Sequence, residues 1–262
     1  MAAGARIWSF DRAASFYDAT RGLPPDVIDQ VTEVLAEELD GRGRCLEIGV
    51  GTGRIALPLA ARGVDLVGTD LAAGMVSQLV ANAPRNGGRG SVPVALADAT
   101  ALPFPDGRFG AVLASHVLHL IPAWQSAVDE ARRVLRPDGV LLVDFGGGVP
   151  APWSEPTLEI FRRHGIERRR PGISRPEPVA GHLGVSSRPL TPVPMQVTRS
   201  LAADLADWEG QIFSWTWSYP AEQLLAACAD IRDWAAAEGR HLDEEFTLER
   251  LIQWWAFDRA AT

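Results

Sequence analysis

Lysine is missing from this sequence: all 25 of its basic residues are arginines. A phosphate-binding loop of the kind that ends in lysine is therefore excluded. A Schiff-base lysine and the covalent attachment of pyridoxal phosphate are excluded for the same reason. Complete replacement of lysine by arginine is typical of GC-rich bacterial genomes, so we predict a bacterial protein.

Cysteine is almost absent as well. Cys45 and Cys228 are the only two, and cysteine, histidine and acidic residues nowhere have the spacing of metal ligands. We expect no metal site. So low a cysteine content fits a reducing compartment, and Arg6, Asp11 and Arg12 leave no room for the apolar core of a signal peptide. A cytoplasmic location is predicted.

Long apolar runs and an excess of basic residues are also lacking. The longest apolar stretch, around residues 112–121, contains two histidines and is too short to span a bilayer, so no membrane insertion is expected. The formal net charge of −8 argues against nucleic acid as a partner, because phosphate contacts need a basic surface. With 262 residues, 47% of them hydrophobic, the chain can form a large core.

The most informative segment present is CLEIGVGTGR, residues 45–54. An apolar run ends at three alternating glycines, Gly49, Gly51 and Gly53, and apolar residues then resume at helical spacing. This order predicts a buried strand, a tight turn and a helix start. Glycine permits positive φ and close approach of a ligand to the backbone, and a helix start offers unpaired N–H groups. A nucleotide-type cofactor site is therefore predicted.

The residue after the third glycine narrows the choice of nucleotide. A dinucleotide-binding turn needs glycine at the sixth position counted from Gly49, and Arg54 stands there. An NAD(P)-dependent oxidoreductase is therefore disfavoured, although it stays an alternative. What remains is an acidic residue, Glu47, two positions before the glycine turn.

Further strand ends follow in the order of a β-α-β fold. Residues 64–70 read as a second strand that ends at Asp70, and residues 94–99 read as a third that ends near Asp98. A fourth strand runs into His116, and a fifth covers residues 140–143. Because strands alternate with helical patterns, we expect a parallel sheet covered on both faces.

Taken in this order, these motifs resemble the class I S-adenosylmethionine (SAM)-dependent methyltransferases, closest to the small-molecule group that includes the quinone-biosynthesis methyltransferases. The resemblance covers roughly residues 10–145, and Gly110 departs from it because the family has an acid there. It implies an α/β fold with a Rossmann-like, mostly parallel sheet of seven strands, the last antiparallel, covered by helices on both faces. It also implies SAM as methyl donor and S-adenosylhomocysteine as product.

The resemblance assigns roles to particular residues. Glu47 anchors the ammonium group of SAM, Asp70 accepts hydrogen bonds from the ribose hydroxyls, and Asp98 holds the amine of adenine. The full set expected to bind the cofactor is Tyr17, Arg21, Glu47, Ile48, Gly49, Gly51, Thr52, Gly53, Asp70, Leu71, Met75, Asp98, Ala99, Ser115 and His116. Within it, Tyr17 and Arg21 belong to an N-terminal cover, and Leu71 and Met75 flank the adenine.

The sequence changes character after residue 145. We expect one methyltransferase domain over residues 1–262, in which residues 10–145 form the cofactor-binding core and residues 146–245 form an irregular, variable substrate cap. Nine of the 19 prolines lie between residues 150 and 194. Residues 193–198 are predicted to rejoin the sheet as strand six, and residues 246–262 to supply the terminal strand.

His116 and His119 are the candidates for a general base. Both follow the fourth strand at the carboxyl edge, where open α/β sheets bind ligands, and histidine can accept a proton near neutral pH. A small-molecule acceptor is expected, and methylation of oxygen, nitrogen or carbon stays open. A second alternative is a module that binds SAM but has lost catalysis.

Overall fold

The computed structural model describes residues 10–84, 90–168 and 170–258. Its largest sheet has seven strands. The strands of the protein are β1 (Cys45–Ile48), β2 (Leu66–Asp70), β3 (Val94–Leu96), β4 (Phe109–Ser115), β5 (Leu135–Asp144), β6 (Ser187–Pro189), β7 (Val193–Arg199), β8 (Phe246–Ile252) and β9 (Trp254–Asp258). The sheet has the order β3-β2-β1-β4-β5-β9-β6. Strands β1 to β5 are parallel, and β9 is antiparallel to both β5 and β6. This confirms the predicted fold class.

Helices alternate with the strands. The α-helices are α1 (Tyr17–Arg21), α2 (Pro25–Leu39), α3 (Ala56–Ala61), α4 (Ala73–Asn82), α5 (Trp124–Val134), α6 (Ser154–Arg163), α7 (Pro176–Leu183), α8 (Leu201–Glu209) and α9 (Ala221–Ala237). Every residue of β1 and β4 is buried, as expected for parallel strands with helices on both faces. None of the helices in the described ranges is both long enough and apolar enough to cross a membrane.

The prediction for strand six was wrong. Residues 193–199 form β7, which pairs with β8 in a separate two-stranded sheet. The edge of the main sheet is instead β6, which pairs with β9 from Ser187 to Pro189. Proline is compatible with an edge strand because the backbone N–H that it lacks is not needed for pairing on the open side of the strand. The alternating burial of β7 fits a strand covered on one face.

The region between residues 150 and 194 is more regular than its prolines suggested, since it contains α6, α7 and β6. Proline lies at the start of α7, where a missing N–H costs nothing. The predicted terminal strand is divided into β8 and β9 around Gln253, and residues 259–262 lie outside the described part of the chain.

The contacts divide the chain into two units. The first comprises residues 1–146, 171–193 and 251–262, and its core lies around β1, β4 and β5. The second comprises residues 147–170 and 194–250. Its own core is formed by α6, α8 and α9, where Phe161 lies edge-on to Trp208 and Trp215.

Candidate active site

A cavity of about 330 Å³ lies where the parallel strands of the first unit end. The strand order reverses between the neighbouring strands β1 and β4, which makes this place a topological switch point. Open α/β sheets bind ligands outside the carboxyl ends of their strands at such a point. The wall consists of Phe10, Tyr17, Gly49, Gly51, Asp70, Leu71, Ala72, Met75, Ala97, Asp98, Ala99, Thr100, Ser115, His116, Val117, Leu120, Ile121, Pro122 and Ala123.

The glycine turn forms the floor of this cavity. Gly49 and Gly51 have φ of +64° and +57° and line the wall. A Cβ at Gly49 would overlap Val117, and one at Gly51 would lie 3.3 Å from Cε of Met75. Gly49 therefore makes room for Val117 rather than for a ligand, whereas at Gly51 only the flexible end of Met75 lies near the missing Cβ. Gly53, with φ of +85°, does not line the wall, and a Cβ there would lie 2.7 Å from Cγ of Leu57.

Asp70 is held rigidly at the end of β2. Its Oδ2 accepts a hydrogen bond from the N–H of Gly51 at 2.8 Å, and its Oδ1 accepts one from Ala72 at 2.8 Å. Burial raises the pKa of this carboxyl, and the backbone N–H groups oppose that effect. A carboxylate oxygen has a second lone pair, so Asp70 can still accept hydrogen bonds from a ligand in the cavity.

Asp98, just after the neighbouring strand β3, is positioned in a similar way. Its Oδ1 accepts hydrogen bonds from the N–H and the hydroxyl of Thr100, each at 2.8 Å. Ala99, Leu71 and Met75 also line the wall. The predicted contacts at the ends of β2 and β3 thus come together around one cavity.

Glu47 lies below the cavity. It is 1% exposed, does not contribute to the wall, and has no hydrogen-bond partner for Oε2 among the described residues. Burial raises the pKa of Glu47 to about 8, and the charge of Asp70 adds to this while that of Arg54 opposes it. Glu47 is therefore a protonated carboxyl at neutral pH, in a position where a nearby cation would favour its ionised form.

Arg54 links the glycine turn to other parts of the first unit. Its Nη1 donates to the carbonyl oxygen of Arg21 at 2.9 Å, and its Nη2 donates to Oγ of Ser115 at 3.4 Å. Its charge also opposes the effect of burial on Asp144. Sequence reasoning used Arg54 only to exclude a dinucleotide turn, because no local pattern reveals a contact 61 positions along the chain.

The N-terminal segment is tied to the core by side-chain hydrogen bonds. Asp18 accepts hydrogen bonds from the hydroxyl of Thr52 and, at 2.8 Å, from Nδ2 of Asn82. Tyr17 lines the cavity, whereas Arg21 and Thr52 do not contribute to its wall. The segment is thus placed to cover part of the cavity.

We expect Asp18→Ala to weaken cofactor binding about three- to tenfold, because it removes hydrogen bonds worth about 1 kcal/mol each that hold the cover. The dissociation constant of S-adenosylhomocysteine, measured by calorimetry, tests this. Glu33→Ala, at an exposed position of α2, is the control. Equal affinity of both variants would contradict a covering role for Asp18.

The two histidines after β4 have different surroundings. His116 lines the cavity together with Ser115. His119 lies in a short 3₁₀ helix, Leu118–Leu120, and does not contribute to the wall. Ile48, which was also among the expected cofactor contacts, belongs to the core below the turn.

Sequence reasoning missed the apolar side of the cavity. Val117, Leu120, Ile121, Pro122 and Ala123 line it. These residues follow β4 and belong to no recognisable motif. The one signal for them in the sequence is the apolar run around residues 112–121, which contains the first three. An apolar wall with a few polar groups is typical of sites for small ligands.

The strand order, the antiparallel β9 and the glycine turn after β1 together define the class I methyltransferase fold. Residues 46–143 match the model of a methyltransferase domain family, which confirms the resemblance found in the sequence. Such domains use SAM as methyl donor. The wall fits this molecule, because it contains the glycine turn and two carboxylates, Asp70 and Asp98.

Several curated proteins are similar to the same part of the chain. It is 36% identical over 143 residues to a malonyl-[acyl-carrier protein] O-methyltransferase of Geobacter sulfurreducens, covering 53% of this chain and 52% of the relative. It is 36% identical over 148 residues to nocamycin O-methyltransferase of Saccharothrix syringae, covering 55% and 51%. It is 33% identical over 158 residues to a demethylmenaquinone methyltransferase of Clavibacter sepedonicus, covering 59% and 60%. The chain thus spans little more than half the length of these relatives.

Solved structures agree on the fold. The YcgJ protein of Bacillus subtilis superposes with a TM-score of 0.57 at 19% identity, over 88% of this chain and 99% of the other. A putative methyltransferase of Bacillus halodurans has a TM-score of 0.57 at 19% identity, over 90% and 99%. At these identities the likeness concerns the fold alone.

Proposed function

We propose that the protein transfers a methyl group from SAM to a small-molecule acceptor, and that SAM binds in the cavity of the first unit. The observation that carries the proposal is the convergence of Gly49, Gly51, Asp70 and Asp98 on one cavity inside a methyltransferase domain. Bound SAM supplies a methyl group that is activated by positively charged sulfur. The protein's own task is to hold the acceptor in line with that methyl group.

The residues have distinct roles in this proposal. Asp70 binds the ribose hydroxyls, Asp98 and Ala99 bind the adenine edge, and Leu71 and Met75 contact its faces. Gly49 and Gly51 form the turn next to the amino-acid end, and Gly51 lets it approach the backbone. Glu47 lies below the turn, where its carboxyl group stabilises a cation bound above the turn. Ile48, Thr52 and Gly53 shape the turn. Tyr17 and Arg21 belong to the cover.

We propose that the acceptor is chosen by residues 146–245, the variable substrate cap expected from the sequence. The substrates of the relatives differ from one another, since their names mention an acyl-carrier protein, nocamycin and demethylmenaquinone. From these relatives we carry over to this protein only the methylation of a small molecule. A bacterial origin and a cytoplasmic location stay part of the proposal, and the bacterial relatives support the first of these.

Ligand-dependent thermal stability tests the proposal. SAM and S-adenosylhomocysteine should raise the melting temperature and NADH and NADPH should not, because a ligand at a hundredfold its dissociation constant stabilises by about 2.7 kcal/mol. Asp70→Ala should weaken SAM binding about 10- to 100-fold, since hydrogen bonds to a charged acceptor contribute about 1.5–3 kcal/mol.

Asp65→Ala is the matched control, because Asp65 lies just before the other end of β2 and pairs there with Arg44 at the surface. Stabilisation by NADH alone would contradict the proposal and favour an oxidoreductase. SAM binding without methyl transfer to any acceptor would favour a binding module that lacks catalysis. If Asp70→Ala binds SAM as tightly as Asp65→Ala does, the assignment of the ribose contact is wrong.

A further inference from the structure

A histidine and an aspartate meet at the edge of the cavity. Nε2 of His116, just after β4, lies 3.1 Å from Oδ2 of Asp144, the last residue of β5. The register of the sheet produces this pair: Ser115 lies opposite Asp144, and the N–H of His116 donates to the carbonyl oxygen of Asp144 at 2.9 Å. Backbone and side chain of His116 are therefore both attached to one residue.

The backbone of His116 is strained in this position. Its φ is +51°, in the left-handed region that residues other than glycine seldom adopt. Strain of this kind persists only where the surroundings enforce it, and it is concentrated at functional sites. The imidazole also packs on Gly146, where a Cβ would lie 2.8 Å from Nε2. Glycine at position 146 thus leaves the space that the ring needs.

Asp144 is prepared to interact with a positive imidazole. It is 6% exposed, and its Oδ1 accepts a hydrogen bond from the N–H of Gly146 at 2.8 Å. Burial alone would raise the pKa of Asp144, but the charge of His116, its hydrogen bond, the Gly146 N–H and the charge of Arg54 together lower it. Asp144 is therefore an ionised carboxylate that is fixed on two sides.

We propose that His116 is the general base of the reaction, that Asp144 is its positioning residue, and that the acceptor group is a neutral, weakly acidic hydroxyl. This inference rests on the proposed function and adds the acceptor class to it. His119 has no part in it, because only His116 of the two lines the cavity. An orienting carboxylate fixes the tautomer of a catalytic histidine and stabilises the imidazolium that forms.

We infer the proton movement from the His116–Asp144 pair. With Nε2–H donated to Asp144, the lone pair of the neutral imidazole lies on Nδ1. The acceptor oxygen forms the new bond to the methyl carbon, the methyl–sulfur bond breaks, and its electron pair stays on sulfur. The hydroxyl proton passes to Nδ1 of His116, and Asp144 stabilises the resulting positive charge.

The surroundings of His116 favour an uncharged acceptor. The wall that contains His116 also contains five apolar residues after β4, Val117, Leu120, Ile121, Pro122 and Ala123, as well as the carboxylates of Asp70 and Asp98. An apolar surface does not compensate an anion for lost water, and the carboxylates repel it. A carboxylate needs no base, because it is ionised at neutral pH, whereas a phenol ionises only near pH 10. A fixed base is useful only for the second kind of acceptor.

Paired acceptors test the dyad. Methyl transfer is measured at about pH 8 with 1-naphthol, which is neutral there, and with a dinitrophenol, which is already ionised. His116→Gln should lower kcat about 100-fold or more for the neutral acceptor, and Asp144→Asn about tenfold or more, with KM for SAM nearly unchanged. Both variants should lose at least tenfold less activity on the ionised acceptor than on the neutral one, since the ionised acceptor has no proton to remove.

Gly146→Ala supplies a test that leaves both side chains intact. Its Cβ should displace the imidazole and reproduce the selective loss, whereas Gly148→Ala, where a Cβ meets no atom within 4 Å, should not. A readout without SAM or acceptor is the NMR signal of the His116 Nε2–H. It should be visible and slowly exchanging in wild type and Gly148→Ala, and lost in Gly146→Ala and in Asp144→Leu, which has no acceptor for this hydrogen bond.

The outcomes are distinguishable. Equal losses on neutral and ionised acceptors would mean that the pair has a structural role and would overturn the inference. So would turnover of the dinitrophenol by the wild-type protein without any turnover of 1-naphthol. Failure of the wild-type protein to bind SAM, measured by calorimetry, would instead overturn the proposed function. Retention of the Nε2–H signal in Asp144→Leu would exclude Asp144 as the positioning residue.

Discussion

Gly110→Ala should destabilise the protein by about 3 kcal/mol or more, the largest effect that we expect from a single methyl group in this chain. Gly110 lies in β4, where the pairing with β5 shifts register between Phe109 and Ala111. A Cβ there would overlap the carbonyl oxygen of Arg42 and lie 2.6 Å from Nη2 of Arg136. Because the overlap is with backbone, the strand would have to move, and overpacking of this kind is costly.

The local hydrogen bonds explain why the Arg42 carbonyl is fixed there. It accepts a hydrogen bond from Nη2 of Arg136 at 2.6 Å, and the N–H of Gly110 donates to Arg44 at 2.9 Å. Moving β4 to fit a methyl group would break both. This is also why the acid expected by family resemblance is absent at this position.

Chemical denaturation measures the effect of this substitution. Gly181→Ala is the matched control, since Gly181 lies in α7 and a Cβ there meets no atom within 4 Å. It should stabilise by about 0.5–1 kcal/mol, because alanine favours the helix. A Gly110→Ala protein as stable as wild type would show that β4 can move away from Arg42.

Glu47→Gln should remove a large pH dependence of stability. Burial raises the pKa of Glu47 to about 8 in the folded protein, from an ordinary value of 4.5. Between these two values the unfolded chain has lost the proton and the folded protein keeps it, so stability falls as pH rises. Each pH unit in this window costs up to about 1.4 kcal/mol. Glutamine is uncharged at every pH and has no such slope.

The expected result is that wild type loses up to about 4 kcal/mol more than Glu47→Gln between pH 5 and pH 8, with parallel curves above pH 8. Urea denaturation at several pH values measures this in the absence of ligand. Glu33→Gln, at an exposed position, should follow the wild-type curve. Parallel wild-type and Glu47→Gln curves from pH 5 to 8 would mean that Glu47 is ionised in the folded protein.

Much of the fold was predictable because its signals are local. The glycine turn, the strands that end at Asp70 and near Asp98, and the alternation with helices can each be read within a few residues. The strand-six prediction failed because two short segments competed for one edge. The apolar pattern of residues 193–198 was the stronger local signal, yet Ser187–Pro189 pairs with β9. Pairing across 70 positions is not visible in either segment.

The candidate site divides in the same way. Residue types after strand ends predicted a cavity that Gly49, Asp70, Asp98 and Ser115 do line. The placement of Glu47 below the wall was not predictable, because alternation along a strand does not tell which buried side chain lies next to a ligand.

The sequence by itself determined which functional residues follow each strand, and these residues indicate SAM as the methyl donor. A parallel sheet brings its strand ends to one edge, so residues that follow different strands meet there. Only the tertiary structure distinguished His116 from His119, paired His116 with Asp144, and explained Gly110 by the carbonyl of Arg42. Each of these contacts joins residues 28 or more positions apart, and their distances depend on sheet register and backbone angles. Local spacing carries no information about either.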